Sequence, residues 1–254
     1  MPDSTIFALG GAGGDAQPDS VCENSISTFV PGNNWSVCRG NATSVSDSQD
    51  SGITADSFGV WNAKFFGRGT TNTIECNRSY FAFDLSGESD TVASAQLKVK
   101  CDNLGDTSGN SSTVHVVGAT ALADSTSDYG NVFSSGTTLV GDYGSTTIST
   151  TEGFHTWDIN SAGITAINNA IGSGILTTAL IGYYDKNNTD PGTSNELKIK
   201  IFYANNFGTT NDPKLELTFA TAGYTHKVVS VAAGSIGKIS NVATANVGKV
   251  IGVD

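Results

Sequence analysis

Residues 95–101, Ala-Gln-Leu-Lys-Val-Lys-Cys, alternate apolar and polar side chains without a break. Successive side chains of an extended strand point to opposite faces, so this run buries one face and wets the other only as a β-strand. Ala95, Leu97, Val99 and Cys101 are expected to face a core, with Gln96, Lys98 and Lys100 in water. Residues 195–204 repeat the design, with Leu197, Ile199, Ile201 and Tyr203 opposite Lys198 and Lys200. The two strands are expected to share one core. Further strands are expected at 27–30, 58–66, 78–85, 113–119, 137–140, 146–150, 155–159, 179–184 and 214–219. Clusters of Gly, Asn, Asp and Ser separate them, and the 30 glycines and 15% charged residues suit short strands joined by many turns.

No alternation of strands with long helices appears, which excludes a parallel βαβ architecture. One short helix is expected where Ile164, Ile167 and Ile171 follow helical spacing, behind Asn160 or Ser161 as a cap and before Gly172 as a stop. The expected fold is therefore all-β, an antiparallel β-sandwich of the jelly-roll type over residues 21–220. An N-terminal arm precedes it over 1–20, and a small β-repeat tail follows over 221–254.

The tail is set apart by an internal repeat. Lys227, Lys238 and Lys249 recur every 11 positions, and in the same register Val228, Ile239 and Val250 align, as do Val231, Val242 and Val253. A period of 11 can wind a right-handed coiled coil. Here Gly234, Gly237, Gly248 and Gly252 among β-branched residues oppose helix, so each unit is expected to form a short strand and turn. So little core cannot fold alone, which makes these nine aligned residues candidate assembly contacts. The three lysines against Asp254 leave the tail at +2, and the rest of the chain, whose total is -11, at -13. That acidity repels a phosphate backbone, so nucleic acid is not expected as a partner.

No apolar stretch approaches the roughly 18–20 residues that span a bilayer, so no membrane insertion is expected. Residues 1–17 carry no basic start and only the short apolar run 6–9, so no Sec export signal is expected. Cys22, Cys38, Cys76 and Cys101 contain no CxxC pair, which argues against structural zinc and leaves buried thiols or any of three disulfide pairings open.

Chemistry-bearing residues are scattered. His115, His155 and His226 lie in no nucleophile-base motif. Asp84, Asp158, Glu196 and Glu216 could pair across a glycosidase cleft, but their spacing selects no pair. At Asp84 and Asp158 an acceptor closing a strand or turn explains the residue as well. Oxygen-rich segments at 102–106 and 185–190 could bind calcium, with Asp185, Asn187 and Asp190 as the candidate ligands. Trp35, Trp61 and Tyr129 fall in or near loop-like segments and are candidate platforms for a sugar ring, whereas Trp157 is expected inside a strand. Asn-X-Ser/Thr sequons start at Asn34, Asn41, Asn77, Asn110 and Asn187.

The run Arg-Ser-Tyr-Phe-Ala-Phe-Asp-Leu-Ser at 78–86, followed by Thr-Val-Ala-Ser-Ala-Gln-Leu at 91–97, resembles the opening of disaggregatase-related, carbohydrate-binding-module-like jelly rolls. Trp157-Asp158-Ile159 and the closing Asp212-Pro213-Lys214-Leu215-Glu216-Leu217 are similar to that family's second half. The resemblance covers about residues 78–219 and implies a noncatalytic jelly roll attached to carbohydrate-active or surface proteins; it carries over no ligand residue. Residues 235–243 and 246–253 are similar to the "I-x-K-V-N-G-V-A" repeats that end many structural proteins of tailed phages, with Ser240-Asn241 and Ile251-Gly252 where Asn-Gly is usual.

These resemblances imply a noncatalytic virion structural protein, a capsid decoration or fibre or a tail accessory protein, assembled in the host cytoplasm. Its partners would be further copies of itself, other virion proteins and a host-surface glycan. The alternative is an extracellular carbohydrate-binding module, and a third reading is a polysaccharide-cleaving enzyme. No cofactor is expected beyond calcium.

Overall fold

A computed structural model describes residues 2–9, 20–26, 35–40, 46–49, 59–66, 72–106, 112–120, 129–172, 174–192, 197–201, 213–220, 238–239 and 242–243. The chain forms two units, Met1–Thr218 and Phe219–Asp254.

The fold is all-β and antiparallel, with three short helices among the described residues. In chain order the elements are β1 (Ser4–Phe7), β2 (Ser20–Ile26), α1 (Trp35–Gly40), β3 (Ser46–Gln49), β4 (Gly59–Phe66), β5 (Asn72–Asp84), β6 (Val92–Asp106) and β7 (Thr113–Gly118). There follow β8 (Phe133–Ser135), β9 (Thr138–Leu139), β10 (Asp142–Thr147), β11 (Gly153–Asp158), α2 (Ser161–Ala170), β12 (Ile175–Gly182), α3 (Tyr183–Asn187), β13 (Leu197–Ile201) and β14 (Lys214–Phe219). The second unit contributes β15 (Lys238–Ile239) and β16 (Val242–Ala243).

Hydrogen-bonded neighbours run β1-β14-β6-β13-β4-β5-β12-β7-β10, with β11 added to β6, β2 to β5 and β3 to β2. The two longest strands make the sandwich by changing partners along their length. β6 pairs with β11 over Gln96 to Cys101 and with β13 over Cys101 to Asp106. β5 pairs with β4 over Asn72 to Asn77 and with β12 over Ser79 to Asp84. The layers meet at Trp157 of β11, which is fully buried and donates its indole N–H to the Val114 carbonyl of β7 at 2.9 Å.

The expected alternation in β6 is present: Ala95, Leu97, Val99 and Cys101 are buried while Gln96, Lys98 and Lys100 are partly exposed. β5 differs, because residues 76–83 are all buried. A central strand covered on both faces loses the period of two, and it begins at Asn72 rather than at the expected 78. β10 starts at Asp142, upstream of the expected 146, because a register shift between Asp142 and Gly144 takes glycine at φ 145 into the strand. The expected arm contains β1, which pairs Ser4 with Leu217 and Phe7 with Lys214 of β14. The strand expected at 27–30 lies outside the described residues.

The helix expected after residue 160 is α2. Asn160 caps it through its side-chain oxygen, which accepts from the backbone N–H groups of Ala162 and Gly163 at 3.0 and 3.1 Å. Gly172, at φ 72, turns the chain out of it. Cys38, Cys76 and Cys101 are buried free thiols. Burial pushes the Cys76 and Cys101 thiols well above their ordinary value. The side chain of Cys22 lies outside the described residues.

In the second unit β15 and β16 pair antiparallel, Lys238 with Ala243 and Ile239 with Val242. This is a strand-and-return unit in the second repeat. Lys227, Val228, Val231, Lys249, Val250 and Val253 lie outside the described residues.

Candidate functional site

Two polar groupings stand out in the first unit, one sealed in the core and one open to solvent. The sealed one centres on Arg78 of β5. An arginine fully shielded from water must spend every N–H on a partner. Arg78 Nε lies 2.6 Å from Asp185 Oδ2 and its Nη2 donates to Asp185 Oδ1 at 2.9 Å, a side-on bidentate pair. Its Nη1 donates to the Tyr129 carbonyl at 2.6 Å, and Nη2 also to the Arg39 carbonyl at 2.7 Å. Arg39 of α1 closes on Asp185 as well: its Nε donates to the Asp185 carbonyl and lies 3.1 Å from Oδ1.

Aromatic faces complete the cage. The Arg78 guanidinium sits 4.1 Å from the Tyr129 ring centre and 4.8 Å from that of Phe133. Tyr80 donates its hydroxyl to the Tyr129 carbonyl at 2.9 Å, and Tyr129 donates its own to the Cys38 carbonyl at 3.0 Å. Burial pushes the Tyr129 phenol well above its ordinary value, so it stays neutral. Gly182 allows the approach of α3, since a side chain there would collide with Asn62 and Leu197, and Asn62 in turn accepts the Asp185 backbone N–H at 3.2 Å. The grouping ties β5, α1, α3 and the Tyr129 segment together. With no solvent access it acts as a clamp.

This clamp corrects several expectations. Tyr129 is fully buried and Trp35 is 2% exposed, so neither offers a platform to a sugar. The side chain of Trp61 lies outside the described residues. Asp185 was expected to share calcium with Asn187 and Asp190, but its carboxylate is taken by two arginines inside the core. Asn187 and Asp190 are exposed, donating to the Tyr183 carbonyl and accepting from the Gly192 N–H respectively. The other expected calcium segment, 102–106, is the end of β6, paired with β13. Among the described residues no three His, Cys, Asp or Glu side chains gather as a metal site. The Asn77 sequon is buried, with Asn77 and Ser79 at 1% and 0% exposure, and so is closed to glycosylation in the folded chain.

The open grouping lies on the outer face of β11, β6 and β14. There a cleft of about 550 Å³ is lined by Gln96 and Lys98 of β6, Asp158 of β11, and Glu216 and Thr218 of β14, together with Pro2, Ser94, Ala95 and Ile159. Gln96 Nε2 donates to Asp158 Oδ1 at 2.7 Å, and Lys98 Nζ lies 2.6 Å from Glu216 Oε2. Along the same faces Phe154, 42% exposed, stands opposite Lys100, and Lys214 Nζ lies 5.1 Å from its ring centre.

Of the four carboxylates named from sequence, this face brings together Asp158 and Glu216. Asp84 instead ends β5, where its Oδ1 accepts the Ser86 N–H at 2.9 Å; bonding from Ser86 holds its carboxyl below the ordinary range. Asp158 ends β11, as expected of a strand-closing acceptor, and accepts from Gln96 across strands; Asn160 caps α2. Glu196 and His226 lie outside the described residues. His115 and His155 sit in β7 and β11, as expected of strand residues.

Sequence reasoning missed Arg39, Arg78 and Phe154 as site residues. For Arg78 a signal existed: an arginine between Cys76 and the apolar run 80–83 demands a buried partner. Compared with known protein families the chain matches none, and no curated protein matches it.

Proposed function

We propose that this chain is a structural component of a tailed-phage virion, a capsid decoration or fibre or a tail accessory protein, that assembles through its C-terminal repeats and displays the sandwich outward. The observation that supports it is the 11-residue repeat of the tail, with the β15–β16 pair at Lys238, Ile239 and Val242 falling on its second copy. Strands of two residues in a two-stranded sheet bury too little to hold in water alone. Their outer edges, which pair with no other strand among the described residues, are templates for another chain, and a partner's strand added there would supply hydrogen bonds. The same lysines and valines repeated along the tail would offer equivalent contacts to identical neighbours.

Charge supports this division of labour. A sandwich region at -13 keeps displayed copies soluble and apart, while a tail at +2 escapes that repulsion. The test is incorporation: particles produced with a chain lacking residues 223–254 should carry none of it, while the intact chain is retained. Equal retention of both would defeat the proposal.

A further inference from the structure

Two thiols meet beside the clamp. Cys38 of α1 and Cys76 of β5 are both fully buried. Cys38 Sγ lies 3.8 Å from the carbonyl of Ile74, on the strand that carries Cys76 two residues further on. The Tyr129 hydroxyl, which donates to the Cys38 carbonyl at 3.0 Å, is also hydrogen-bonded to the Cys76 thiol. Two bonds from one oxygen hold the Cys76 sulfur within about 7 Å of the Cys38 carbonyl oxygen. The other two cysteines are placed differently. Cys101 of β6 turns its Sγ to the Val99 carbonyl of its own strand at 3.6 Å, and Cys22 holds the register position on β2 opposite Arg78.

We infer that Cys38 and Cys76 are a redox pair, two thiols in a reducing compartment and a disulfide joining α1 to β5 in an oxidising one. The step is thiol–disulfide exchange with a small disulfide such as oxidised glutathione. The thiolate of one cysteine attacks it and one glutathione leaves; the second cysteine then displaces the other. One sulfur–sulfur bond breaks and one forms, and both cysteine protons end on the two glutathione thiols.

Burial governs when this happens. Desolvation pushes the Cys76 thiol up, while Arg78 beside it pulls the other way. Little thiolate therefore exists while the clamp is shut, so the reduced pair persists until the clamp opens or until the chain folds in an oxidising medium. Once formed, the bond closes a loop of about 40 residues, which narrows the unfolded ensemble. It also ties α1, which brings Arg39 to Asp185, to the strand that brings Arg78. The clamp would thus be fastened covalently on leaving a reducing environment.

The test takes the full chain, purified reduced and then held with oxidised or reduced glutathione. After denaturation the oxidised sample should offer two of its four cysteines to an alkylating reagent, and a peptide map should join Cys38 to Cys76. Its urea midpoint should exceed that of the reduced sample and fall back on addition of dithiothreitol. Cys38→Ala and Cys76→Ala should each have a midpoint indifferent to the glutathione state. That comparison is made within one chain, so a loss of packing in the variant does not enter it. Four reactive cysteines after oxidation, a bond mapped to Cys22 or Cys101, or equal midpoints in the two parent samples would overturn the inference. None of these outcomes bears on assembly through the tail.

Discussion

Arg78 Nε and Asp185 Oδ2 lie 2.6 Å apart with both side chains fully shielded from solvent, joining positions 107 residues apart in the chain. Removing Arg78 leaves the buried Asp185 carboxylate with Arg39 on Oδ1 but without its partner on Oδ2, and takes a donor from the Tyr129 and Arg39 carbonyls. Arg78→Met is therefore expected to destabilise the first unit by about 3–5 kcal/mol. Arg78→Lys should recover only part of this, because an ammonium cannot serve Asp185, Tyr129 and Arg39 from one plane. Urea unfolding measures both, and a midpoint unchanged in Arg78→Met would refute the clamp.

Asn160 caps α2 and also donates through Nδ2 to the Asp142 carbonyl at 2.9 Å. Asn160→Ala is expected to cost about 1–2 kcal/mol, and Asn160→Asp less, since a carboxylate still caps the two N–H groups. Thermal unfolding of the two variants side by side decides this; equal loss in both would assign the effect to the Asp142 contact instead.

Burial lowers the pKa of His115 and of His155 below the ordinary 6.5, for His115 despite Asp142 Oδ1 at 3.8 Å. His115 Nδ1 and His155 Nε2 are buried without a hydrogen bond among the described residues. As pH falls through 6.5 the unfolded chain takes up protons that the folded chain refuses, so this contribution is complete above 6.5 and declines below it. The double variant His115→Gln, His155→Gln should lose less stability than the parent between about pH 6.5 and pH 5. Equal slopes would contradict the assignment.

The elements legible in the sequence are those whose cause is local. β6 reveals itself through alternation, β14 has the expected bounds 214–219, and α2 has its cap, apolar spacing and glycine stop within thirteen residues, 160–172. β5 was legible only in part, because burial on both faces erases the period. The candidate site was far less legible. Tyr184 and Asp185 read as a strand end and a calcium loop, yet form α3, because the carboxylate answers an arginine more than a hundred positions away. Burial of Trp35 and Tyr129 has the same non-local origin. Asp158 and Glu216 could be named from sequence, but only the pairing of β11 and β14 with β6 places them in one cleft.

Assembly through the tail is read from the mass in solution of the full chain and of a chain ending before Gly223, measured by light scattering. The shortened chain retains the whole first unit, Met1–Thr218. Tail-driven assembly predicts a full-length oligomer and a shortened monomer with an unchanged β-type circular dichroism spectrum. A shortened chain that keeps the full-length oligomeric state would contradict it.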